Sequence, residues 1–153
     1  MKHDKRALVA RLRAALEGDL AAAHARARDA ADAATHEENR AESDKDMRST
    51  ESSYIARGHS RRVAELEGAL AMLGAMSVRD LERAAPISVS ALVTVADGGR
   101  EATYFLVPAG GGVDLGGVTS LSTTSPLGAA LLRAVEGDEI TRGGRTLEIV
   151  AVG

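Results

Sequence analysis

The sequence THEENRAESDKDMRSTESS, residues 35–53, interrupts an apolar pattern and decides how the first half of the chain folds. Met47 is its only large apolar side chain. On both sides of this stretch leucine and alanine recur every three or four residues, a spacing that places them on one face of a helix. A single helix through the stretch would leave that face exposed to water. We therefore expect the chain to fold back on itself here.

The apolar face of each helical arm is a narrow seam with coiled-coil spacing. In the first arm the seam consists of Leu8, Leu12, Leu16 and Leu20, followed by Ala23, Ala27, Ala30 and Ala34. In the second arm it consists of Val63, Leu66, Leu70 and Leu73. If Leu8 faces Leu73, the bend falls near residue 40 or 41. The pattern predicts an antiparallel helical hairpin that extends from about Asp4 to Leu81 and forms a first domain, residues 1–82.

Four residues of this hairpin carry local signals for its bend and its irregularities. Ser43 followed by Asp46 has the spacing of a capping box for the returning helix. Gly58 lies inside the second helix, where glycine costs about 1 kcal/mol, and indicates either a close approach of the opposite arm or a kink. Gly74 marks the end of the second helix.

The rest of the chain, residues 83–153, is rich in valine, glycine, serine and threonine, which favour strands and turns. Pro86 marks the boundary, because proline disfavours helix at the residue before it. Strands are predicted at Ile87–Val95, Ala102–Val107, Val118–Ser122 and Thr146–Val152. Hairpin turns are predicted at Asp97-Gly98-Gly99 and Gly143-Gly144. One short helix follows Ser125, with Pro126 at its first position. The sequence thus predicts an α+β protein whose second domain is a small antiparallel sheet with one short helix.

The composition excludes several kinds of site and location. The chain has no cysteine, which rules out disulfides, thiolate catalysis and cysteine-based zinc sites. Its four histidines lack the spacing of paired metal ligands. A net charge of -3 gives no basis for non-specific nucleic-acid binding. No apolar run approaches the roughly 18 residues of a membrane helix, and the N-terminus lacks a signal-peptide core. We expect a cytoplasmic monomer without membrane contact.

Two segments near the C-terminus form a recognisable pattern, Thr124–Leu132 (TSPLGAALL) and Glu136–Ile140 (EGDEI). Together they resemble the signature of the GreA/GreB family of bacterial transcription elongation factors. In that family a Ser-Pro helix start precedes a Gly-Asp turn and a closing strand. Ser60–Glu67 resembles the family's returning helix, and length and domain order agree. The usual Asp-Leu-Ser-Glu-Asn-Ala-Glu-Tyr tip motif is absent, and residues 37–46 (EENRAESDKD) stand in its place. The chain thus resembles a divergent member.

The resemblance implies a fold, a partner and a mechanism. The second domain would be FKBP-like and would dock on bacterial RNA polymerase, while the hairpin would enter the secondary channel. Carboxylates at the hairpin tip would help hold the magnesium of the polymerase active site, so that the polymerase cleaves backtracked transcript RNA. The protein would bind no cofactor alone and would not itself be an enzyme.

Acidic residues are concentrated at the predicted tip, residues 37–46, which contains five carboxylates and only two basic residues. Magnesium prefers oxygen ligands and often takes only one or two carboxylates from a protein. In a two-metal site such a ligand can stabilise the attacking hydroxide. The candidate catalytic residues, acting in trans, are first Glu42 and Asp44, which would share the magnesium, and then Glu38 and Asp46. The alternative is a solvated charged turn.

Basic and apolar residues supply the remaining candidate contacts. Arg57, Arg61 and Arg62 on the returning helix could meet transcript RNA or acidic groups of the polymerase. Their alternative role is intrahelical pairing, with Glu65 for Arg61 or Arg62. Tyr54 could stack on a base, but as a single aromatic it is better explained as filling the seam. Candidates for polymerase docking are Ser125, Pro126, Leu127 and Leu131, and the alternative for the two leucines is core packing.

An FKBP-like fold raises the possibility of prolyl isomerase activity, which needs several aromatic side chains around one pocket. The second domain has only Tyr104 and Phe105. Because neighbours on a strand point to opposite faces, we expect no isomerase activity. Two alternative functions stay open: a secondary-channel regulator or inhibitor that does not promote cleavage, and a coiled-coil adaptor without metal chemistry.

Overall fold

The computed structural model describes residues 3–38 and 45–153, without the side chains of Ala34, Glu37, Glu38 and residues 45–53. The elements are α1 (Lys5–Glu38), α2 (Lys45–Ala75), β1 (Leu92–Asp97), β2 (Arg100–Val107), β3 (Thr119–Ser122), α3 (Pro126–Leu131), β4 (Glu139–Arg142) and β5 (Arg145–Val152). Two helices followed by a sheet with one short helix confirm the predicted α+β fold. The chain divides into two compact units, Leu16–Gly68 and Met1–Ala15 with Ala69–Gly153.

The unit Leu16–Gly68 consists, in its described part, of one segment from each long helix. Leu16, Ala23 and Leu66 are buried in it. Since the described residues of this unit form no other element, the two helical segments must cover these side chains mutually. His24 Nε2 of α1 lies 3.7 Å from Glu67 Oε1 of α2, so the helices are side by side there. The predicted apolar seam and the antiparallel pairing of the helices are confirmed in this unit.

The other unit contains the first turns of α1, the last turns of α2 and all the strands. Its helical segments bury Leu8, Leu12 and Leu73, which continue the predicted seam. The second helix ends at Ala75, one residue after Gly74, so the prediction that Gly74 marks its end is confirmed and the outer bound of the helical region at Leu81 was wrong. Beyond the helix, Arg79 N–H donates to Ser90 Oγ at 3.0 Å rather than to a helix carbonyl. The domain boundary between residues 82 and 83 stays a prediction.

The five strands form one sheet in the order β3-β2-β1-β5-β4. β1 pairs with β2 and β4 pairs with β5 in antiparallel hairpins. Their two-residue turns are Gly98-Gly99 and Gly143-Gly144, and all four glycines have positive φ, as the tight hairpin turn requires. One sheet face packs with α3 into a core of the following buried residues: Ile87, Ala91, Val93, Val95, Leu106, Leu131 and Ile149. This sheet with α3 and its loops, residues 83–153, is called the β domain below.

Two details of the sheet differ from the prediction. β3 pairs with β2 in parallel, so the sheet is mixed rather than wholly antiparallel. A parallel pair needs a crossover connection, and residues 108–118 supply it. β1 begins at Leu92, five residues later than the predicted strand. The reason is Ser90, which has φ +71 and so breaks the extended backbone between Ile87 and Leu92.

Gly58 is not explained by a close approach of the two helices. Within the described part of the chain, no atom lies within 4 Å of the position a Cβ would take there. We therefore expect Gly58→Ala to raise the free energy of unfolding by about 1 kcal/mol, the usual helix preference for alanine. Urea unfolding followed by far-UV circular dichroism measures this change.

Gly112→Ala is the matched control for Gly58→Ala. A Cβ at Gly112 would also meet open space, but its φ is +84. Alanine there carries the strain of a left-handed backbone, about 1 kcal/mol, so the control should lose stability. A loss of stability in Gly58→Ala as well would contradict the open environment of this glycine.

Candidate functional site

The acidic candidates surround the connection between the two long helices. α1 ends at Glu38 and α2 begins at Lys45, and six residues join them. Glu42 and Asp44, like Ser43 of the predicted capping box, lie outside the described residues. Glu38 is the last residue of α1 and Asp46 is the second residue of α2, while the side chains of both are outside the described part. In the sequence, the four acidic residues lie at or between the last residue of α1 and the first turn of α2.

The basic candidates lie on α2, and all three are exposed. The Arg57 guanidinium carbon is 5.7 Å from the centre of the Tyr54 ring, which is a cation–π contact three residues apart. Arg62 Nη1 is 3.5 Å from Glu65 Oε2. This pair is the intrahelical alternative for Arg62, and between groups so exposed it contributes little stability.

Tyr54 is not part of the apolar seam. Its side chain is 69% exposed, so the interpretation of this tyrosine as seam filler was wrong. Neighbouring Ile55 is 56% exposed, so the chain presents an aromatic and an aliphatic side chain to solvent beside Arg57. The spacing of the α2 seam already separates Tyr54 from it, because the three- and four-residue steps back from Val63 reach His59 and Ala56 and leave residue 54 on another face.

The docking candidates near α3 divide into a cap, a surface and a core. Ser125 is the N-cap: Gly128 N–H donates to Ser125 Oγ at 3.0 Å, and Ser125 Oγ donates to Ser122 O at 2.6 Å. Pro126 is exposed, and Leu127 is half-buried against the core. Leu131 is fully buried in that core. Its side chain therefore cannot contact a partner, which corrects its assignment as a docking residue in favour of core packing.

The Gly-Asp turn of the resemblance joins α3 to the last hairpin. Gly137 has φ +93, a backbone conformation that favours glycine. Gly137 N–H donates to Ile149 O at 2.8 Å, and Ile149 N–H donates to Asp138 O at 2.9 Å. Asp138 Oδ2 accepts from Val135 N–H at 2.9 Å. The two segments that carry the resemblance thus consist of a capped helix and a glycine turn that hydrogen bonds hold against β5.

Two basic residues of α1 that the sequence did not single out make long-range contacts. Lys5 Nζ donates to the Arg79 carbonyl oxygen, and Arg11 Nη1 donates to Leu115 O at 2.7 Å. Burial lowers the pKa of Lys5 below its usual range, and the nearby carboxylate of Asp80 partly opposes that effect. No local sequence pattern predicts these contacts, because the acceptors of Lys5 and Arg11 are backbone oxygens far along the chain.

Two kinds of site do not occur in the part of the chain that the structure describes. Among the side chains that the structure describes, which leave out those of Glu37, Glu38 and residues 45–53, no three histidine, aspartate or glutamate groups lie close enough together to hold a metal ion. No described helix has the length and apolar character that crossing a bilayer requires.

Comparison with solved structures finds transcription factors. Gfh1, the GreA factor homolog 1 of Thermus thermophilus, is 20% identical, with 92% of this chain and 94% of that chain covered and a TM-score of 0.40. Gfh1 of Thermus aquaticus is 21% identical, with 90% of each chain covered and the same TM-score. GreA/GreB from Nitrosomonas europaea is 24% identical, with 65% and 88% covered and a TM-score of 0.38. No protein-family model and no curated protein matches the chain.

Proposed function

We propose that this protein binds bacterial RNA polymerase through the secondary channel and regulates transcription elongation. Two features support the proposal: the resemblance of Thr124–Leu132 and Glu136–Ile140 to the GreA/GreB signature, and the acidic residues at the connection of α1 and α2. The observation that carries it is the antiparallel helix pair, because a connection between two such helices can present carboxylates on a thin support. The protein acts in the cytoplasm, as a monomer, and has no catalytic activity of its own.

The chemistry proposed for the connection is stimulation of transcript cleavage. The donor set fits magnesium, because the chain offers carboxylate oxygens there and magnesium prefers oxygen ligands. When bound in the polymerase, magnesium would supply activation of the water that attacks the RNA phosphate. Glu42 and Asp44 would help hold the metal or orient that water, with Glu38 and Asp46 as the second pair of candidates. Arg57 and Arg61 contact transcript RNA or acidic groups of the polymerase, while Arg62 is engaged with Glu65 in the free protein.

The β domain supplies the second contact with the polymerase. Ser125 and Pro126 lie at the start of α3, and Leu127 is partly exposed beside them. Since Leu131 holds α3 on the core from inside, it shapes this surface without touching the partner. An FKBP-like role as isomerase is not proposed, because Tyr104 is half-buried and Phe105 is fully buried.

Binding to core RNA polymerase is the first test of this function. The chain carries no cysteine, so a single Glu139→Cys on the exposed strand β4 allows one fluorescent label. We expect saturable binding to bacterial core polymerase, measured by fluorescence anisotropy, and a rise of the dissociation constant with salt. Unlabelled chain should displace the labelled chain, whereas a serum albumin control should not bind. Absence of binding to core polymerase at micromolar concentrations would favour the adaptor alternative.

A further inference from the structure

Two basic side chains of α1 bind backbone carbonyl groups: Arg11 binds one in the β domain, and Lys5 binds one in the segment just before it, which Ser90 in turn bonds to the β domain. Lys5 Nζ donates to Arg79 O, and Arg11 Nη1 donates to Leu115 O at 2.7 Å. All four residues belong to the same compact unit. The two donors are six residues apart, which is about 9 Å along a helix axis. Two attachments at this separation restrict both rotation and sliding of α1.

The first attachment is buried and has a fixed acceptor. Lys5 is only 6% exposed, and a buried ammonium group is costly unless it is hydrogen-bonded. The Arg79 carbonyl oxygen that accepts the hydrogen bond of Lys5 also accepts one from Ser90 Oγ at 3.4 Å. Arg79 N–H in turn donates to Ser90 Oγ. Ser90 is itself fully buried, and its N–H donates to Leu106 O of β2. Lys5 therefore binds a carbonyl that the sheet holds in place.

The second attachment depends on a glycine. Leu115 is buried, and its N–H donates to Val118 O at 2.7 Å, so its carbonyl is also fixed. The next residue, Gly116, has φ +88, and a Cβ there would lie 2.6 Å from Arg11 Nη1. Any side chain at this position would push the guanidinium away from the carbonyl. The absence of a side chain at residue 116 therefore leaves the space in which the Arg11 guanidinium reaches the Leu115 carbonyl.

Apolar contacts alone would not fix the orientation of α1. Burial of Leu8 and Leu12 is favourable, but the hydrophobic effect has no direction and tolerates a small rotation. Hydrogen bonds from a charged donor are directional and strong, and a rotated helix would leave Lys5 buried without its acceptor. We infer that Lys5 and Arg11 are positioning residues that hold the start of α1 in one orientation on the β domain. A second part of the inference rests on the proposed function: the fixed orientation of α1 is required for the full effect of the protein on RNA polymerase.

A distance measurement on the isolated chain tests the orientation. Ala14 of α1 and Arg142 of β4 are exposed and lie in the same compact unit, and the chain has no other cysteine to interfere. Spin labels on Ala14→Cys and Arg142→Cys should give a single narrow distance by pulsed electron paramagnetic resonance. Adding Lys5→Met and Arg11→Met, which keep the apolar stems, should abolish that single distance while the helix content is retained. An unchanged narrow distance would overturn the inference.

A glycine pair separates loss of the attachment from general strain in the loop. Gly116→Ala introduces both a positive-φ alanine and the contact with Arg11. Gly117→Ala introduces only the strain, since its φ is +82 and its Cβ would meet open space. We expect the single distance to broaden in Gly116→Ala and to stay narrow in Gly117→Ala. Equal distance distributions in the Gly116→Ala and Gly117→Ala chains would overturn the role of Arg11. This comparison decides the question even if the methionine variant fails to fold.

An assay of transcript cleavage by backtracked polymerase completes the test and keeps the two proposals apart. The Lys5→Met/Arg11→Met chain, with all tip carboxylates intact, should lose most of the stimulation of cleavage that the wild type shows. The Gly117→Ala chain should keep that stimulation. Equal action of the methionine variant and the wild type would overturn the functional part of the inference. If the wild type has no effect on polymerase at all, the proposed function fails, while the distances still decide whether Lys5 and Arg11 fix α1.

Discussion

Gly128→Val is expected to destabilise the β domain by about 3 kcal/mol or more, at the upper end of the cost of overpacking a core. A Cβ at Gly128 would lie 2.8 Å from the Ser122 carbonyl carbon and 2.9 Å from Ser125 Oγ. Neither group can move freely, because Ser122 O accepts both the N–H and the hydroxyl of Ser125. The valine would therefore force α3 away from Ser122 and the Ser125 cap. The urea midpoint of the circular dichroism transition measures the loss.

Ala129→Val is the matched control for this substitution. Residue 129 is the next residue of α3 and is exposed, so valine there adds bulk without meeting the Ser122 carbonyl. We expect a loss of about 0.5 kcal/mol, the usual helix penalty of a β-branched residue. Equal midpoints for Gly128→Val and Ala129→Val would show that α3 does not pack against Ser122 as described.

Features set by local periodicity or turn chemistry were predictable from the sequence. The leucine seam, the Gly-Gly hairpin turns and the Ser125 cap of α3 all follow from short patterns whose physics acts over a few residues. The resemblance at Thr124–Leu132 added the prediction of a partner, which no periodicity could supply.

Features set by distant contacts were not predictable from the sequence. The segment after α2 bonds to the sheet through Arg79 and Ser90, and the parallel placement of β3 depends on the path of residues 108–118. Lys5 and Arg11 bond to backbone oxygens 74 and 104 residues away. Leu131 was ambiguous, because a leucine on a short helix suits a core and a docking surface equally well.

The tip carboxylates are the point on which the proposed function depends. If Glu42 and Asp44 help bind the magnesium or orient water in the polymerase, removing both removes stabilisation of the transition state. A loss of about 3 kcal/mol corresponds to a fall of roughly 100-fold in the cleavage rate. Binding should change much less, because the β domain and both helices are intact in such a variant.

Glu17→Ala/Asp19→Ala is a matched control for the tip variant. Both residues are exposed on α1 and remove the same charge as the tip pair. They lie some twenty residues before the connection, so their loss tests whether overall charge rather than position matters. We expect the control to stimulate cleavage as well as the wild type does.

The most direct measurement is the rate of transcript cleavage by a stalled, backtracked bacterial RNA polymerase with each protein added. The wild type and the Glu17→Ala/Asp19→Ala chain should accelerate cleavage over polymerase alone, and Glu42→Ala/Asp44→Ala should bind but not accelerate it. Polymerase binding without acceleration by the wild type would instead indicate a regulator that does not promote cleavage. Equal acceleration by the wild type and the Glu42→Ala/Asp44→Ala chain would contradict the role assigned to these carboxylates.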